Sequence, residues 1–354
     1  MSYKGTPSIL KSVNRQLVEE YARSCDMTTK PQIAAATNLS LVTVTKIVNA
    51  MVDEGILQEC GTADSTGGRQ AVCYRINPMA NYFICINHTE EEFTCAMVDA
   101  AGSVVRQEKL HLKESGTDKL FEKLCDAIDS FGGKNGGQAP KAIGIGLPGV
   151  THEGKVSSIP RIPDWEDYPL AQMLVERYPD TSVLLENDIN LAALGLHRRR
   201  YKGKFRNLIL IYLERGVGAG LIINRQLYQG KSHFAGEIGY LPVFRKGMSA
   251  PVMMEQAVRK VQDRQELVGI VKDCLVNVVC IFNPEAVVLC GRGMNQEDAD
   301  GIRKYVSDTL GAANTPEIST LSDLSKYCIE GLIHMCRERT GHGYAIARTN
   351  RREI

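Results

Sequence analysis

Two groups of residues have types and spacings suited to chemistry. The first lies in Ser40-Leu-Val-Thr-Val-Thr-Lys-Ile-Val-Asn49. At 100° per residue, setting Val44, Ile47, Val48 and Met51 on one side of a helix leaves Val42, Thr45, Lys46 and Asn49 on the other. That outer face is small, polar and cationic, the character of an element that enters a DNA major groove. Asn49 suits an adenine edge, Lys46 suits guanine or phosphate, and Thr43 and Thr45 suit phosphates. Arg69, behind two glycines, has the charge for a narrow minor groove. The second group is polar: Asn187 and Asp188, which end a strand and open a helix, and Glu237 in Gly236-Glu-Ile-Gly239. From the residues alone, Asn187-Asp188 is a helix cap and Glu237 a turn carboxylate.

The elements that must carry the first group are short. Val13 to Ser24 has one apolar helical face. Lys30-Pro31 opens a second helix over Gln32 to Thr37, and Ser40 caps a third that runs to about Glu54 before Gly55. Ile56 to Glu59 and Val72 to Ile76 read as two strands around the polar loop 61–69. Two helices joined by a tight turn and followed by a hairpin describe a winged helix-turn-helix over residues 1–78. This segment holds eight Lys/Arg against seven Asp/Glu. Its weak basic balance predicts modest non-specific affinity, so tight DNA binding requires dimerisation. The alternative is an ordinary solvated surface on a bundle that binds protein.

From Asn77-Pro78 onward the pattern is α/β. Strands are expected at Tyr82–Ile86, Phe93–Asp99, Val104–Leu112, Ala142–Leu147, Ser182–Leu185, Leu208–Leu213, Gly218–Ile223 and Ala286–Cys290. Helices are expected at Leu120–Phe131, Asp188–Arg200 and Val252–Phe282, with further helices to the C-terminus. The 354 residues carry 42 Lys/Arg and 41 Asp/Glu, which excludes a polybasic tail or an acidic solvating protein. No apolar run reaches the roughly 18–20 residues that span a bilayer, and no signal-peptide core opens the chain. The eleven cysteines include no pair separated by two residues, and several lie in apolar runs. They read as reduced, buried thiols of a cytoplasmic protein.

Five further segments carry a resemblance: Gly144-Ile-Gly-Leu-Pro-Gly149, Glu186-Asn-Asp-Ile-Asn190, Gly216-Val-Gly-Ala-Gly220, Gly236-Glu-Ile-Gly239 and Phe282-Asn-Pro-Glu-Ala-Val-Val-Leu-Cys-Gly291. Their order and spacing, behind Leu39-Ser-Leu-Val-Thr-Val-Thr45 and Ser65-Thr-Gly-Gly-Arg69, are similar to the ROK family, which joins sugar-responsive repressors with sugar kinases. The resemblance implies an actin-like, two-lobed sugar-kinase-type domain over residues 79–354, with lobes 79–182 and 183–354 and a sugar site between them. It implies assembly as a homodimer or homotetramer. It also implies that Asn187 holds a sugar hydroxyl, that Asp188 matches the kinases' general base, and that Glu237 and Glu255 accept sugar hydroxyls.

Departures from the pattern separate repressor from kinase. The family's Asp-x-Gly-Gly-Thr phosphate hairpin is Asn87-His-Thr-Glu-Glu91 here, and its Gly-Thr-Gly is Glu214-Arg-Gly216. Added carboxylates repel a triphosphate, and larger side chains close its approach. Tyr240 replaces the histidine of the family's zinc element, and no cysteine follows through Met254. The expectation is therefore a DNA-binding repressor of carbohydrate uptake or utilisation genes. It needs no ATP, zinc or other cofactor and makes no membrane contact. Asp188 is a vestigial base, and the cleft takes a sugar or sugar phosphate as effector. The alternative is a sugar kinase with an attached DNA-binding head. The run Arg198-Arg-Arg-Tyr-Lys-Gly-Lys-Phe-Arg206 reads as a solvated helix end, or as a contact for DNA flanks, a phosphorylated ligand or an acidic partner protein. Trp165 reads as core or cleft wall.

Overall fold

Short-range signals place the first elements. The computed structural model describes residues 7–340 apart from 64–69, 90–91, 112–116, 133–138, 158, 160–161, 163, 215 and 245–249. Helix α1 (Pro7–Arg23) is followed by β1 (Thr28–Thr29), α2 (Lys30–Thr37), α3 (Leu41–Asp53), β2 (Leu57–Thr62) and β3 (Val72–Ile76). Thr29 caps α2 in a reciprocal box, with Gln32 Oε1 accepting from Thr29 N at 2.9 Å. Asn38, in the left-handed region at φ 56°, ends it. Ser40 Oγ accepts from Thr43 N at 3.2 Å and starts α3, so the two helices meet at 120°. Val44, Ile47, Val48 and Met51 are buried, the face that the helical period requires. A doubly hydrogen-bonded Arg15–Glu54 pair, 2.9 Å between Nη1 and Oε1, ties α1 to the end of α3. The three strands pair in the order β1-β3-β2. β1 has two residues, too few to show a period. α1 starts earlier than its apolar face suggests, at Pro7.

The body holds two five-stranded sheets. β4 (Tyr82–Thr89), β5 (Glu92–Asp99) and β6 (Val104–His111) form a meander, and α4 (Thr117–Gly132) leads to β7 (Ala142–Leu147). A small hairpin, β8 (Val150–His152) and β9 (Lys155–Ser157), precedes α5 (Leu170–Arg177) and β10 (Ser182–Asn187). The first sheet runs β10-β7-β4-β5-β6, with β7 parallel to both β10 and β4. Helix α6 (Asp188–Gly195) widens into a π-turn over Leu196–Arg200. Then come β11 (Leu208–Leu213), β12 (Val217–Ile223), β13 (Gln226–Leu227), β14 (Pro242–Val243) and β15 (Val252–Met253). Helices α7 (Met254–Lys260) and α8 (Arg264–Phe282), β16 (Ala286–Cys290), α9 (Gln296–Leu310), β17 (Glu317–Leu321) and α10 (Ser325–Thr340) complete the body. The second sheet runs β13-β12-β11-β16-β17.

Two expectations change. The helix expected over 252–282 is broken after Lys260, because Asp263 Oδ2 accepts from Glu266 N at 2.8 Å and caps a new helix. The first sheet extends through Asn187, beyond the expected lobe division at 182/183, and α10 returns from the far end of the chain to pack on β4 and β7.

Helices α6 and α10 lie between the sheets and share one buried cluster with Phe83, Leu208, Ala286 and Leu332. They cross backbone to backbone: a Cβ on Gly195 would sit 2.0 Å from Tyr327 O, and one on Gly331 2.2 Å from Leu191 O. The outer sheet faces are covered by α4 and α5 on one side and by α7, α8 and α9 on the other. At the head, Arg23 pairs with Glu19 at 2.5 Å and its guanidinium donates to Ala100 O in the β5–β6 turn. Arg337 of α10 donates to the next carbonyl, Ala101 O. Eight of the eleven cysteines are buried and none is in a disulfide, as their apolar settings suggest. Among the described residues, no single helix is long and apolar enough to cross a membrane.

Candidate functional site

The parallel strands β7 and β10 end side by side, with Asn187 opposite Leu147, and the chain turns at once into α6. A cavity of about 940 Å3 opens there between the sheets. Asn187, Asp188, Glu237 and Glu255, named from the sequence, all line it.

Asn187 is a helix cap: its Oδ1 accepts from Ile189 N at 2.9 Å and Asn190 N at 3.2 Å. Its Nδ2 donates to Gly149 O at 2.9 Å, which leaves one amide proton for a ligand. Asp188 takes the first helical position, with Oδ1 accepting from Ile189 N at 2.8 Å. Burial outweighs that bond and the carboxyl is pushed up to about 6. Glu237 follows Gly236, whose φ of +98° and close approach to Ala219 O, 1.9 Å from a Cβ, admit only glycine. Burial and the nearby Glu255 raise the Glu237 carboxyl. Glu255 itself pairs with Arg259 at 2.5 Å.

Glu186 was not anticipated as a site residue. It is buried at the end of β10, where its Oε1 accepts from Asn187 N and Asn190 Nδ2, both at 2.9 Å. Its Oε2 accepts from Gln229 Nε2 at 2.5 Å, a bond from the first sheet to the segment that follows β13. His152 of the β8–β9 hairpin and His233 are also in contact, with ring centroids 5.7 Å apart. Glu214 and Asp323 also line the cavity. They lie far apart in sequence, so no spacing rule connects them. Asn87, placed here from the altered phosphate hairpin, lines it as well and is 3% exposed.

In the head, Val42, Lys46 and Asn49 are exposed, and Thr43 and Thr45 are half-buried. The Thr43 hydroxyl is engaged in the cap, 2.8 Å from Ser40 Oγ. Lys30 Nζ donates to Asn49 Oδ1 at 2.7 Å, so the acceptor needed for a two-bond adenine contact is already occupied. Arg69 lies outside the described residues.

The remaining features are structural. Trp165 is fully buried and stacked on Tyr168 with centroids 5.0 Å apart. Among the described residues, three of the six cations of the basic run pair with carboxylates of the same chain: Arg199–Glu330 at 3.4 Å, Lys204–Glu317 at 2.9 Å and Arg198–Glu338 at 4.0 Å. At the corner matching the family's zinc element, Tyr240 and Met253 are exposed and offer neither imidazole nor thiolate, so these residues do not fit zinc.

Two sheets with a helix pair between them and a polar cleft at their strand ends define an actin-like, sugar-kinase-type body. Residues 83–251 match the ROK family model. A xylose repressor of Caldicellulosiruptor bescii is 29% identical over 245 residues, covering 68% of this chain and 61% of the repressor. The chain thus spans less than two thirds of the length of that relative. A crystal structure described as a ROK family transcriptional regulator, homolog of E. coli MLC protein, superposes with a TM-score of 0.69 at 17% identity over 94% of this chain and 100% of that one. A ROK hexokinase from Thermus thermophilus superposes at 0.60 and 18% identity, over 74% of this chain and all of its own.

Proposed function

We propose that the protein is a DNA-binding transcriptional repressor of sugar-utilisation genes, built from a winged helix-turn-helix over residues 1–78 and an effector-binding body over residues 79–354. The observation that carries this reading is the outward face of α3. Val42, Lys46 and Asn49 are exposed on a helix capped by Ser40 and held at 120° to α2, in a chain that is similar to xylose repressors and matches the ROK family model over residues 83–251. Thr43, Thr45 and Arg69 complete the proposed DNA contact. The protein acts as a homodimer or homotetramer in the cytoplasm, placing two heads on two half-sites. A sugar bound among Asn187, Asp188, Glu237 and Glu255 changes the cleft and thereby the fit of the heads to the operator. Glu214, Glu92 and Asp323 line the same cavity, and their charge opposes a nucleotide triphosphate, which supports a role without kinase activity.

Selection of sheared genomic DNA on the full-length protein at about 150 mM salt, where non-specific phosphate binding has weakened, tests this. Enrichment of paired half-sites, lost in Lys46→Ala/Asn49→Ala, is the expected result. No enrichment at any salt overturns it. A kinase is favoured by one observation, the retained Asp188 with its carboxyl near 6. Turnover of ATP with any hexose, abolished by Asp188→Asn, would establish it instead.

A further inference from the structure

The described residues lining the cleft include seven carboxylates and one guanidinium, and that guanidinium, Arg259, is paired with Glu255. Glu92 is paired with Lys109 at 2.5 Å. The other five, Glu186, Asp188, Glu214, Glu237 and Asp323, form no ion pair among the described residues, and the donors that reach Glu186, Asp188, Glu214 and Asp323 are backbone amides, side-chain amides and a hydroxyl. Burial raises the carboxyls of Glu186, Asp188 and Glu237, and no cation lowers them. His88 adds no charge, because burial pushes it down to about 4.

A second observation points the same way without involving charge. Asn87 is 3% exposed and lines the cavity, and its Oδ1 has no partner among the described residues. A buried acceptor in that state costs free energy until a donor reaches it. Unpaired carboxylates and an unpaired amide oxygen therefore line the cleft, and the ligand must bring donors to them.

We infer that the cleft takes an unphosphorylated amino sugar, a hexosamine with a free ammonium group, in preference to the neutral hexose and to any sugar phosphate. A phosphate monoester brings up to two negative charges into a space that already holds unpaired carboxylates. An ammonium brings one positive charge and three donors. The hydroxyls of the same sugar supply further donors, which suits both the carboxylates and Asn87 Oδ1. This inference rests on the reading of the cleft as an effector site.

Isothermal titration of the full-length protein with glucosamine, galactosamine and mannosamine, each beside its neutral hexose, N-acetyl and 6-phosphate counterparts, tests it. One of the free amines is expected to bind about tenfold or more tightly than its neutral counterparts, the factor that one charge-assisted hydrogen bond supplies. Its 6-phosphate is expected to bind worst. Glu237→Gln and Asp323→Asn, each checked for a cooperative thermal transition, are expected to narrow the preference for the amine. Equal binding of amine and neutral sugar, or tighter binding of a phosphate, overturns the inference while leaving a sugar-responsive regulator standing. Binding of no sugar, with operator selection intact, removes the effector cleft and this inference together.

Discussion

The head and the cleft solve different physical problems. The outward face of α3 is built from one helix, is largely exposed, and sits in a segment of nearly balanced charge. The cleft draws Asn87, Glu186, Asp188, Glu214, Glu237 and Asp323 from separate elements of both sheets and concentrates one sign of charge there. The head can change its contacts one residue at a time at small cost to stability. The cleft cannot, because its groups come from many separate elements and its position depends on the close crossing of α6 and α10.

The largest effect is expected where that crossing is tightest. Gly331→Val places side-chain atoms against Leu191 O and should cost about 3 kcal/mol or more in urea unfolding, lowering the transition of the body. An unchanged midpoint would mean that the helices part easily. Next is Asp188. Its value is raised, so the native state holds the proton preferentially between 3.8 and about 6, and stability falls as pH rises through that window and levels above it. Asp188→Asn should remove ~1–3 kcal/mol of that fall, read as the difference between unfolding curves at the two ends of the window. Glu186 and Glu237 contribute in the same direction.

In the head the effects are smaller. Ser40→Ala removes the α3 cap and should cost about 1 kcal/mol, visible as a lower melting temperature of the head. Lys30→Met should leave stability within roughly 0.5 kcal/mol, since the pair it breaks is exposed. It should nevertheless tighten or alter base preference at the position Asn49 reads, because the Asn49 oxygen becomes free. Operator selection with an unchanged consensus would show that Lys30 releases Asn49 without cost.

This contrast also explains what was legible from sequence. The bounds of β3, β7, β11 and β16 match the apolar runs, and Ser40 marks the start of α3, because local burial and capping determine them. β1 and β17 were missed, since each is short and exists through pairing with a distant strand, and the β8–β9 hairpin was missed because three-residue strands show no period. Asn187 and Asp188 were visible at a strand-to-helix junction. Glu186 was not, because a single carboxylate at a strand end has no distinguishing spacing, and its partner Gln229 lies beyond β13, 43 residues on. Glu214 and Asp323 are joined to the site only by the parallel arrangement of the second sheet.

The β5–β6 turn offers two consecutive carbonyls, Ala100 O to Arg23 of the head and Ala101 O to Arg337 of α10. The head is therefore not a bead on a string. Its freedom to rotate about the 77–81 connection is reduced by a second point of attachment, and that point is shared with a helix of 16 residues. At about 1.5 Å per residue α10 is a strut roughly 24 Å long. Near its other end, Cys328 Sγ donates to Asp188 O at 3.3 Å, beneath the cleft. A strut fixed at both ends transmits displacement rather than absorbing it, so a shift of α6 of a few tenths of an ångström reaches the turn on which the head rests.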